Sequence, residues 1–578
     1  MKTANQRKAL LVVLTALIVA QSTAVLAAEK SAPTDTILIK QERVANRSAV
    51  DPFQVGPGIA VADTKAGKVQ GFVHKGIYTY LGIPYAQAER FEAPHKVTPW
   101  KNIRMAVTYG DIAPQDVSKE ADIFPPHWYY PHWEDRNTAQ GEDCQNLNIW
   151  TPGISDGKKR PVMVWFHGGG WQMGSASVED VYNGENLARK GDVVVVSVNH
   201  RLNSLGFLDL SAYGDQYKDS ANAGVLDLVA SLQWVHDNIT SFGGDPGNVT
   251  IFGQSGGGAK VLTMTSLQRA KGLFQKGIVE SGATRMSGMS FPDQKATRRV
   301  AELTLKNLGL TPANVGQLRT MPYAQLSKAA NAAMKQASNE LGRDTISYWS
   351  PVRDGRIITQ NPVVDGFSKN AENIPLLIGS VLNEWTTMDQ MRHMDTAQRD
   401  NHNTWDEATV KEKMQQKYGD KADAVEKAFQ EAYPDKKPAD ALYPDAWLRK
   451  GAIETANMKA RQAAPVYTYV FTWETPVMGG LGMAYHCSEI PFVFNNIALS
   501  EPATGGGKAA YALADKMSQA WINFARTGDP NQPKSSGLPH WPAYTKENGA
   551  AMILDNHSEV RYHHDAALME LLGGKSEL

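Results

Sequence analysis

The chain contains 578 residues, of which 42% are hydrophobic and 21% are charged, and this composition excludes a fibrous or wholly disordered protein. Lysine and arginine together number 59, against 60 for aspartate and glutamate, so the formal net charge is -1. Because there is no basic surplus, we do not expect general binding to nucleic acid or to an anionic membrane surface.

The N-terminal residues have the pattern of a targeting segment. Three basic residues precede an apolar run at 9–20, and small residues follow around Ala27. The run is too short to span a bilayer comfortably, so residues 1–28 are predicted to be a cleaved secretory signal peptide, which implies a secreted or periplasmic protein. The alternative is an uncleaved N-terminal anchor. Residues 29–57 are polar and are predicted to form an extended arm.

Residues 58–578 are predicted to form a single α/β domain. The segments 192–198 and 249–253 are almost wholly apolar, as expected for strands buried on both faces. Apolar residues recur at helical spacing over 224–239. This alternation favours a mostly parallel sheet with helices on both faces, while the charged segment 395–450 is interpreted as a helical excursion. We expect no membrane span in the mature chain.

A nucleophile is predicted at Ser255. Residues 253–257 read Gly-Gln-Ser-Gly-Gly, which fits G-x-S-x-G, and they lie between an apolar strand and a predicted helix. In that context the serine hydroxyl projects from a sharp turn at the sheet edge. A serine hydroxyl is a weak nucleophile, so it also needs a base to remove its proton.

A second glycine motif, at 165–171 (WFHGGGW), follows another predicted strand. Consecutive glycines allow backbone N–H groups to converge on one point, where they can stabilise the oxyanion of an acyl-transfer intermediate. The amide of Gly256, directly after the nucleophile, is the natural further donor. His167 within this motif is interpreted as structural.

With five further blocks, these motifs resemble the type-B carboxylesterases, the α/β-hydrolases that include the cholinesterases. The resemblance extends from about residue 58 to 570, and the order and spacing of the blocks match the family. The blocks are GIPYA (82–86), GEDCQNLNIW (141–150), FHGGGW (166–171), NHRLNSLGFL (199–208), FGGDPGNVTIFGQSGGG (242–258), HCSEIPFVF (486–494) and WINFARTGDPN (521–531).

The resemblance implies an α/β-hydrolase fold and supplies the partners of the nucleophile. Glu384 matches the catalytic acid and His486 the catalytic base, so the order is Ser255, Glu384, His486. The family often has glycine after this acid, where this chain has Trp385. The competing carboxylate, Asp354, lies in an Asp-Gly pair that is typical of a turn.

The resemblance also implies the oxyanion donors and the reaction. The donors are the amides of Gly169, Gly170 and Gly256, and the reaction is ester hydrolysis through an acyl-enzyme, with water as second substrate and no metal or cofactor. Gln254 replaces the glutamate of the cholinesterases, which argues against a cationic substrate. A lipase, an amidase or a thioesterase with the same residues, and a non-catalytic adhesion relative, are the alternatives. The natural ester and the oligomeric state are left open.

The two cysteines have two possible states. Relatives often pair the cysteine at the position of Cys144 with one upstream, which this chain lacks. A Cys144–Cys487 disulfide and two buried thiols are therefore both open. Arg90 and Glu142 match positions that form a structural salt bridge in relatives.

Aromatic residues adjoin the motifs. In relatives the segment 123–133, which contains Trp128, forms a loop near the active-site entrance, and here it is interpreted either as the lining of a hydrophobic pocket or as a rigid lid. Trp171 and Trp385 are further candidate pocket residues.

Overall fold

The computed structural model describes residues 53–116, 139–178, 180–386 and 399–573. The chain divides into two compact units, Met1–Gln54 and Val55–Leu578, and nearly all described residues belong to the second. The predicted signal peptide and most of the predicted arm lie outside the described residues. Within the described ranges, no helix has both the length and the apolar character needed to cross a membrane.

The strands, in chain order, are β1 (Phe53–Gln54), β2 (Val61–Thr64), β3 (Gly67–Gln70), β4 (Phe72–His74), β5 (Ile77–Pro84), β6 (Arg104–Met105), β7 (Asn146–Thr151), β8 (Arg160–Phe166), β9 (Val194–Val198), β10 (Gly244–Gln254), β11 (Lys276–Glu280), β12 (Leu376–Val381), β13 (Val466–Phe471), β14 (Ala550–Leu554) and β15 (Glu559–Tyr562).

The α-helices are α1 (Glu185–Gly191), α2 (Asn203–Phe207), α3 (Ala223–Asn238), α4 (Gly256–Ser266), α5 (Gln294–Asn307), α6 (Tyr323–Leu341), α7 (Glu407–Tyr418), α8 (Ala422–Ala432), α9 (Leu448–Lys459), α10 (Ile490–Val493), α11 (Glu501–Thr504), α12 (Lys508–Thr527) and α13 (Ala566–Leu572).

In the second unit, one large sheet has the strand order β4-β5-β7-β9-β8-β10-β11-β12-β13-β14-β15. The strands from β9 to β14 in this order run parallel, whereas the remaining pairs at both ends are antiparallel. A small sheet of β2, β3 and β6 accompanies it. This architecture confirms the predicted α/β-hydrolase class.

The central strands are buried on both faces. In β9, Val194 and Val196 belong to one hydrophobic cluster and Val195 to another, because successive side chains of a strand point to opposite faces. Helices cover both faces, which explains why the sequence of 192–198 is apolar without alternation.

The predicted excursion at 395–450 contains helices in the structure. Both α7 and α8 bury an apolar face, through residues such as Val410 and Met414 of α7 and Val425 and Phe429 of α8. Residues 387–398, which precede them, lie outside the described part of the chain.

A buried ion pair joins α9 to the C-terminal segment. Arg449 donates from Nε to Oδ2 of Asp565 at 2.6 Å and from Nη2 to Oδ1 at 3.2 Å, and both side chains are almost fully buried. Burial alone raises the pKa of the Asp565 carboxyl, but Arg449 and His564 lower it more strongly, to about 2. Removing one partner of such a pair leaves an uncompensated buried charge.

We expect Asp565→Asn to lower the free energy of unfolding at pH 7 by about 3 kcal/mol, because Arg449 stays charged. The pKa of Asp565 is depressed in the folded chain, so its contribution is present above about pH 4 and is lost toward pH 2. Urea denaturation at pH 7 and pH 3 should show the difference from wild type shrinking at the lower pH. Asp63→Asn is the control, because Asp63 pairs with Lys68 on the surface. Equal effects of the two substitutions would contradict the prediction.

Candidate active site

The predicted functional residues gather at one edge of the sheet. Strands β8, β10, β11, β12 and β13 are neighbours and run parallel, so their carboxyl ends meet at that edge. The segments that follow these strands carry the glycine loop at 167–170, Ser255, Ser281, Glu384 and His486, respectively.

Ser255 occupies a strained turn between β10 and α4. Its backbone angles are φ 55° and ψ -122°, a conformation that residues other than glycine rarely adopt. The Ser255 amide donates to the Glu280 carbonyl at 2.7 Å, and the Ser255 carbonyl accepts from the amide of Ala259 at 3.1 Å. The turn therefore places the serine at the N-terminus of a helix, as the sequence motif predicts.

The glycine loop packs directly against this turn. Gly169 and Gly170 have φ of 79° and 63°, in the left-handed region that favours glycine. A Cβ atom added to Gly256 would lie 2.3 Å from the Gly170 nitrogen, so only glycine fits there without a shift. The backbones of two predicted oxyanion donors, Gly170 and Gly256, therefore lie side by side.

Glu384 and His486 are in direct contact, although they are 102 residues apart in sequence. Nδ1 of His486 lies 2.5 Å from Oε2 of Glu384, and the His486 amide donates to the Glu384 carbonyl at 3.1 Å. Both side chains are buried. The side-chain nitrogen Nε2 of Gln254, the residue before Ser255, lies 3.4 Å from Nδ1 of His486, so the imidazole lies beside the turn.

Ser281 is a site residue that the sequence analysis missed. Its hydroxyl donates to Oε1 of Glu384 at 2.7 Å, and the amide of Val381 donates to the same oxygen at 3.1 Å. These two donors and His486 together orient the carboxylate. The available signal was the position of Ser281, directly after a buried strand at the functional edge of the sheet.

Further carboxyl groups lie buried around Glu384. Burial raises the pKa of Asp445, of Glu280 and of Glu489, and the charge of Glu384 raises those of Asp445 and Glu489 further. These neighbours are thus shifted toward their neutral forms.

The candidate pocket tryptophans have different environments. The Trp385 ring stacks on the His486 ring with centroids 5.2 Å apart, and its Nε1 donates to Asp445 at 3.2 Å. Trp171 is fully buried and donates from Nε1 to the Gly288 carbonyl at 3.0 Å, which places its indole among core side chains. Trp128 and the segment 123–133 lie outside the described residues.

Both cysteines are buried thiols, so the structure has the second of the two states left open by the sequence. Cys144 packs with Ala113 and Leu202, and Cys487 donates from Sγ to Oε1 of Gln254 at 2.8 Å. The Cys144–Cys487 disulfide is not formed, and Cys487 instead packs against the residue that precedes the predicted nucleophile.

Other charged candidates have structural environments. Oδ1 of Asp354 accepts three backbone amides at 2.8–2.9 Å and so closes a turn, as its sequence context predicts. Arg90 pairs with Glu142 and also donates to the carbonyls of Leu318 at 2.8 Å and Met321 at 2.6 Å. This ion pair therefore ties distant segments together.

Comparison with known sequences supports the resemblance. The model of the carboxylesterase family matches residues 59–570. The chain is 33% identical over 515 residues to the para-nitrobenzyl esterase of Bacillus subtilis (strain 168), covering 87% of this chain and 96% of that protein. It is 30% identical over 522 residues to the phenmedipham hydrolase of Pseudarthrobacter oxydans, covering 86% and 96%, respectively.

The chain is also similar to solved structures of esterases. An esterase from Clostridium hathewayi, described as hydrolysing aliphatic aromatic polyesters, has a TM-score of 0.80 and 38% identity, covering 90% of this chain and 99% of that one. A carboxylesterase of Geobacillus stearothermophilus has a TM-score of 0.67 and 32% identity, covering 89% and 100%.

Thiol titration tests the state of the cysteines. We expect the protein denatured without reductant to show two reactive thiols, and the native protein to show almost none at short times, because both side chains are buried. A chromogenic thiol reagent measures both, and a sample reduced before denaturation is the control. Finding no thiols in the denatured, unreduced sample would show that a disulfide forms.

Proposed function

The chain belongs to the carboxylesterase family and is a carboxylic-ester hydrolase, and from that premise we propose that Ser255, His486 and Glu384 form its catalytic triad. The observation that carries the proposal is the contact between Nδ1 of His486 and Glu384, next to the Ser255 turn. The position of Gly170 against Gly256 supports the proposed oxyanion hole.

His486 acts as the base. When Nδ1–H donates a hydrogen bond to Glu384, the lone pair of the neutral ring lies on Nε2. In the proposed first step, Nε2 takes the hydroxyl proton of Ser255 while Oγ attacks the ester carbonyl carbon. The Glu384 carboxylate holds the ring in this tautomer and stabilises the imidazolium that forms.

The oxyanion hole receives the charge that develops on the carbonyl oxygen. We assign its donors to the amides of Gly169, Gly170 and Gly256, and the loss of one such donor typically costs about 3 kcal/mol of transition-state stabilisation. The N-terminus of α4, where Gly256 is the first residue, also favours negative charge.

The intermediate then collapses and the ester bond breaks. The leaving alcohol takes the proton from His486, and the acyl group remains on Oγ of Ser255 as a new ester. A water molecule, deprotonated by His486, attacks that ester through a second oxyanion intermediate. His486 returns that proton to Oγ of Ser255 as the second intermediate collapses, and the carboxylic acid product leaves and ionises to the carboxylate in water.

Export is part of the proposal and is supported by the basic and apolar pattern of residues 1–28 alone. In a Gram-negative host that expresses the full chain, we expect mature protein in the periplasmic fraction, with an N-terminus close to Ala28. N-terminal sequencing measures this. A cell-associated chain that retains residues 1–28 would contradict cleavage.

Substitution of the nucleophile tests the mechanism. We expect Ser255→Ala to lower kcat for p-nitrophenyl acetate by about 10⁴-fold or more, because no other group replaces the attacking oxygen. Ser266→Ala is the matched control, because Ser266 lies at the opposite end of α4 and donates to the Thr263 carbonyl. Circular dichroism checks that both variants fold.

Labelling adds an independent result to the same test. An organophosphonate ester should modify Ser255 in the wild type and in Ser266→Ala, and should leave Ser255→Ala unmodified. Retained turnover in Ser255→Ala, or label on another serine such as Ser281, would place the nucleophile elsewhere.

A further inference from the structure

A buried lysine lies behind the glycine loop. Lys260 is on the second turn of α4, the helix that begins at Gly256, and its side chain is wholly buried. Its Nζ donates to the His167 carbonyl at 2.8 Å, lies 3.5 Å from the Gly168 carbonyl, and sits 5.4 Å from the centre of the Trp171 ring. The proposed mechanism does not use this group.

We propose that Lys260 is a positioning residue that fixes the direction of the oxyanion-loop amides. The inference rests on the proposed function, because it assigns a role within the same oxyanion hole. Lys260 acts through the loop backbone and makes no contact with the reacting atoms.

Peptide geometry links the carbonyls of the loop to its amides. In a planar trans peptide, a carbonyl and the following N–H point in opposite directions. The Gly168 carbonyl accepts from Nδ1 of His167 at 2.9 Å and faces Lys260, so the Gly169 N–H points away from the lysine.

The next peptide is oriented in the same way. The Gly169 carbonyl accepts from the amides of Gln172 and Met173, each at 3.2 Å, so the Gly170 N–H points to the opposite side. The Gly170 nitrogen is also the atom closest to a Cβ added at Gly256. The hydrogen bonds to the Gly168 and Gly169 carbonyls thus set the directions of the Gly169 and Gly170 amides.

Lys260 supplies the hydrogen bond at the start of this chain of orientations. His167 directly follows β8, so its carbonyl lies beyond the hydrogen bonds of the sheet. A buried carbonyl needs a hydrogen-bond donor, and Lys260 supplies it. The glycines beyond it have wide conformational freedom. Because Lys260 and Gly256 lie on one helix, the lysine ties the loop to the same element that carries the proposed Gly256 donor.

The groups that face Lys260 do not alter this role. The rings of His167 and His200 stack 5.2 Å apart beside it, and burial, followed by Lys260 itself, lowers the pKa of both imidazoles. Neutral His167 can donate from Nδ1 to the Gly168 carbonyl. An amine donates N–H whether it is neutral or charged, so the positioning role does not depend on the charge of Lys260.

Lys459 provides a matched control. It is also fully buried on a helix, α9, and its Nζ donates to the Ala371 carbonyl at 2.6 Å. Ala371 precedes β12, whereas Glu384 follows β12, so this contact lies toward the other end of the strand. Lys459→Met therefore reports the general effect of removing a buried lysine from its carbonyl acceptor.

The test compares Lys260→Met with Lys459→Met in the full mature chain. For Lys260→Met we expect kcat for p-nitrophenyl acetate to fall about tenfold or more, short of the 10²–10³-fold loss typical of a missing donor, with KM nearly unchanged. The affinity for a trifluoromethyl ketone, whose serine adduct carries an oxyanion, should fall by the same factor. Lys459→Met should leave all three quantities close to wild type.

Unchanged kcat and ketone affinity in folded Lys260→Met would overturn the inference, as would an equal loss in Lys459→Met. If Lys260→Met does not fold, Lys260→Gln decides, because it keeps an N–H donor on a shorter side chain. We expect its kcat and ketone affinity to fall together by about threefold or more at nearly constant KM. Unchanged ketone affinity would again overturn the inference. A wild type without ester turnover would instead contradict the proposed function.

Discussion

The site that contains His486 and Glu384 depends on the parallel alignment of five neighbouring strands. Because the carboxyl ends of β8, β10, β11, β12 and β13 meet at one edge, segments that are distant in sequence end side by side. The strand ladder fixes the backbone there, and the segments that follow the strands bring the side chains into contact. This edge explains how Glu384 and His486, which are 102 residues apart in sequence, come into contact.

Close backbone packing and buried polar groups then shape the site. Gly256 allows the glycine loop to approach the helix to a distance that a side chain would prevent. Around Glu384, burial raises the pKa of the neighbouring carboxyls Asp445, Glu280 and Glu489, while Ser281 and Val381 donate hydrogen bonds to Glu384. Hydrogen-bond donors therefore surround two negative groups. The amides of the glycine loop and Gly256 would stabilise the proposed oxyanion, and Ser281 and Val381 donate to the carboxylate of Glu384.

How much of this could be predicted from sequence depends on how local the determinants are. The turn at Ser255 and the buried strands follow from neighbouring residues, so the motif and the apolar runs were sufficient. The role proposed for His486 required the family resemblance, because nothing in the neighbouring sequence distinguishes it from other histidines. The contacts of Lys260, the core position of Trp171 and the hydrogen bond of Cys487 depend on packing between distant segments, which no single segment of the sequence encodes.

A crystal structure of the wild-type protein with a trifluoromethyl ketone bound would test the central claim most directly. We predict a covalent bond from Oγ of Ser255 to the former carbonyl carbon, and the resulting oxyanion about 2.7–3.1 Å from the amide nitrogens of Gly169, Gly170 and Gly256. Nδ1 of His486 should remain bonded to Glu384. A ketone attached to another residue, or an adduct whose oxygen points away from the glycine loop, would contradict it.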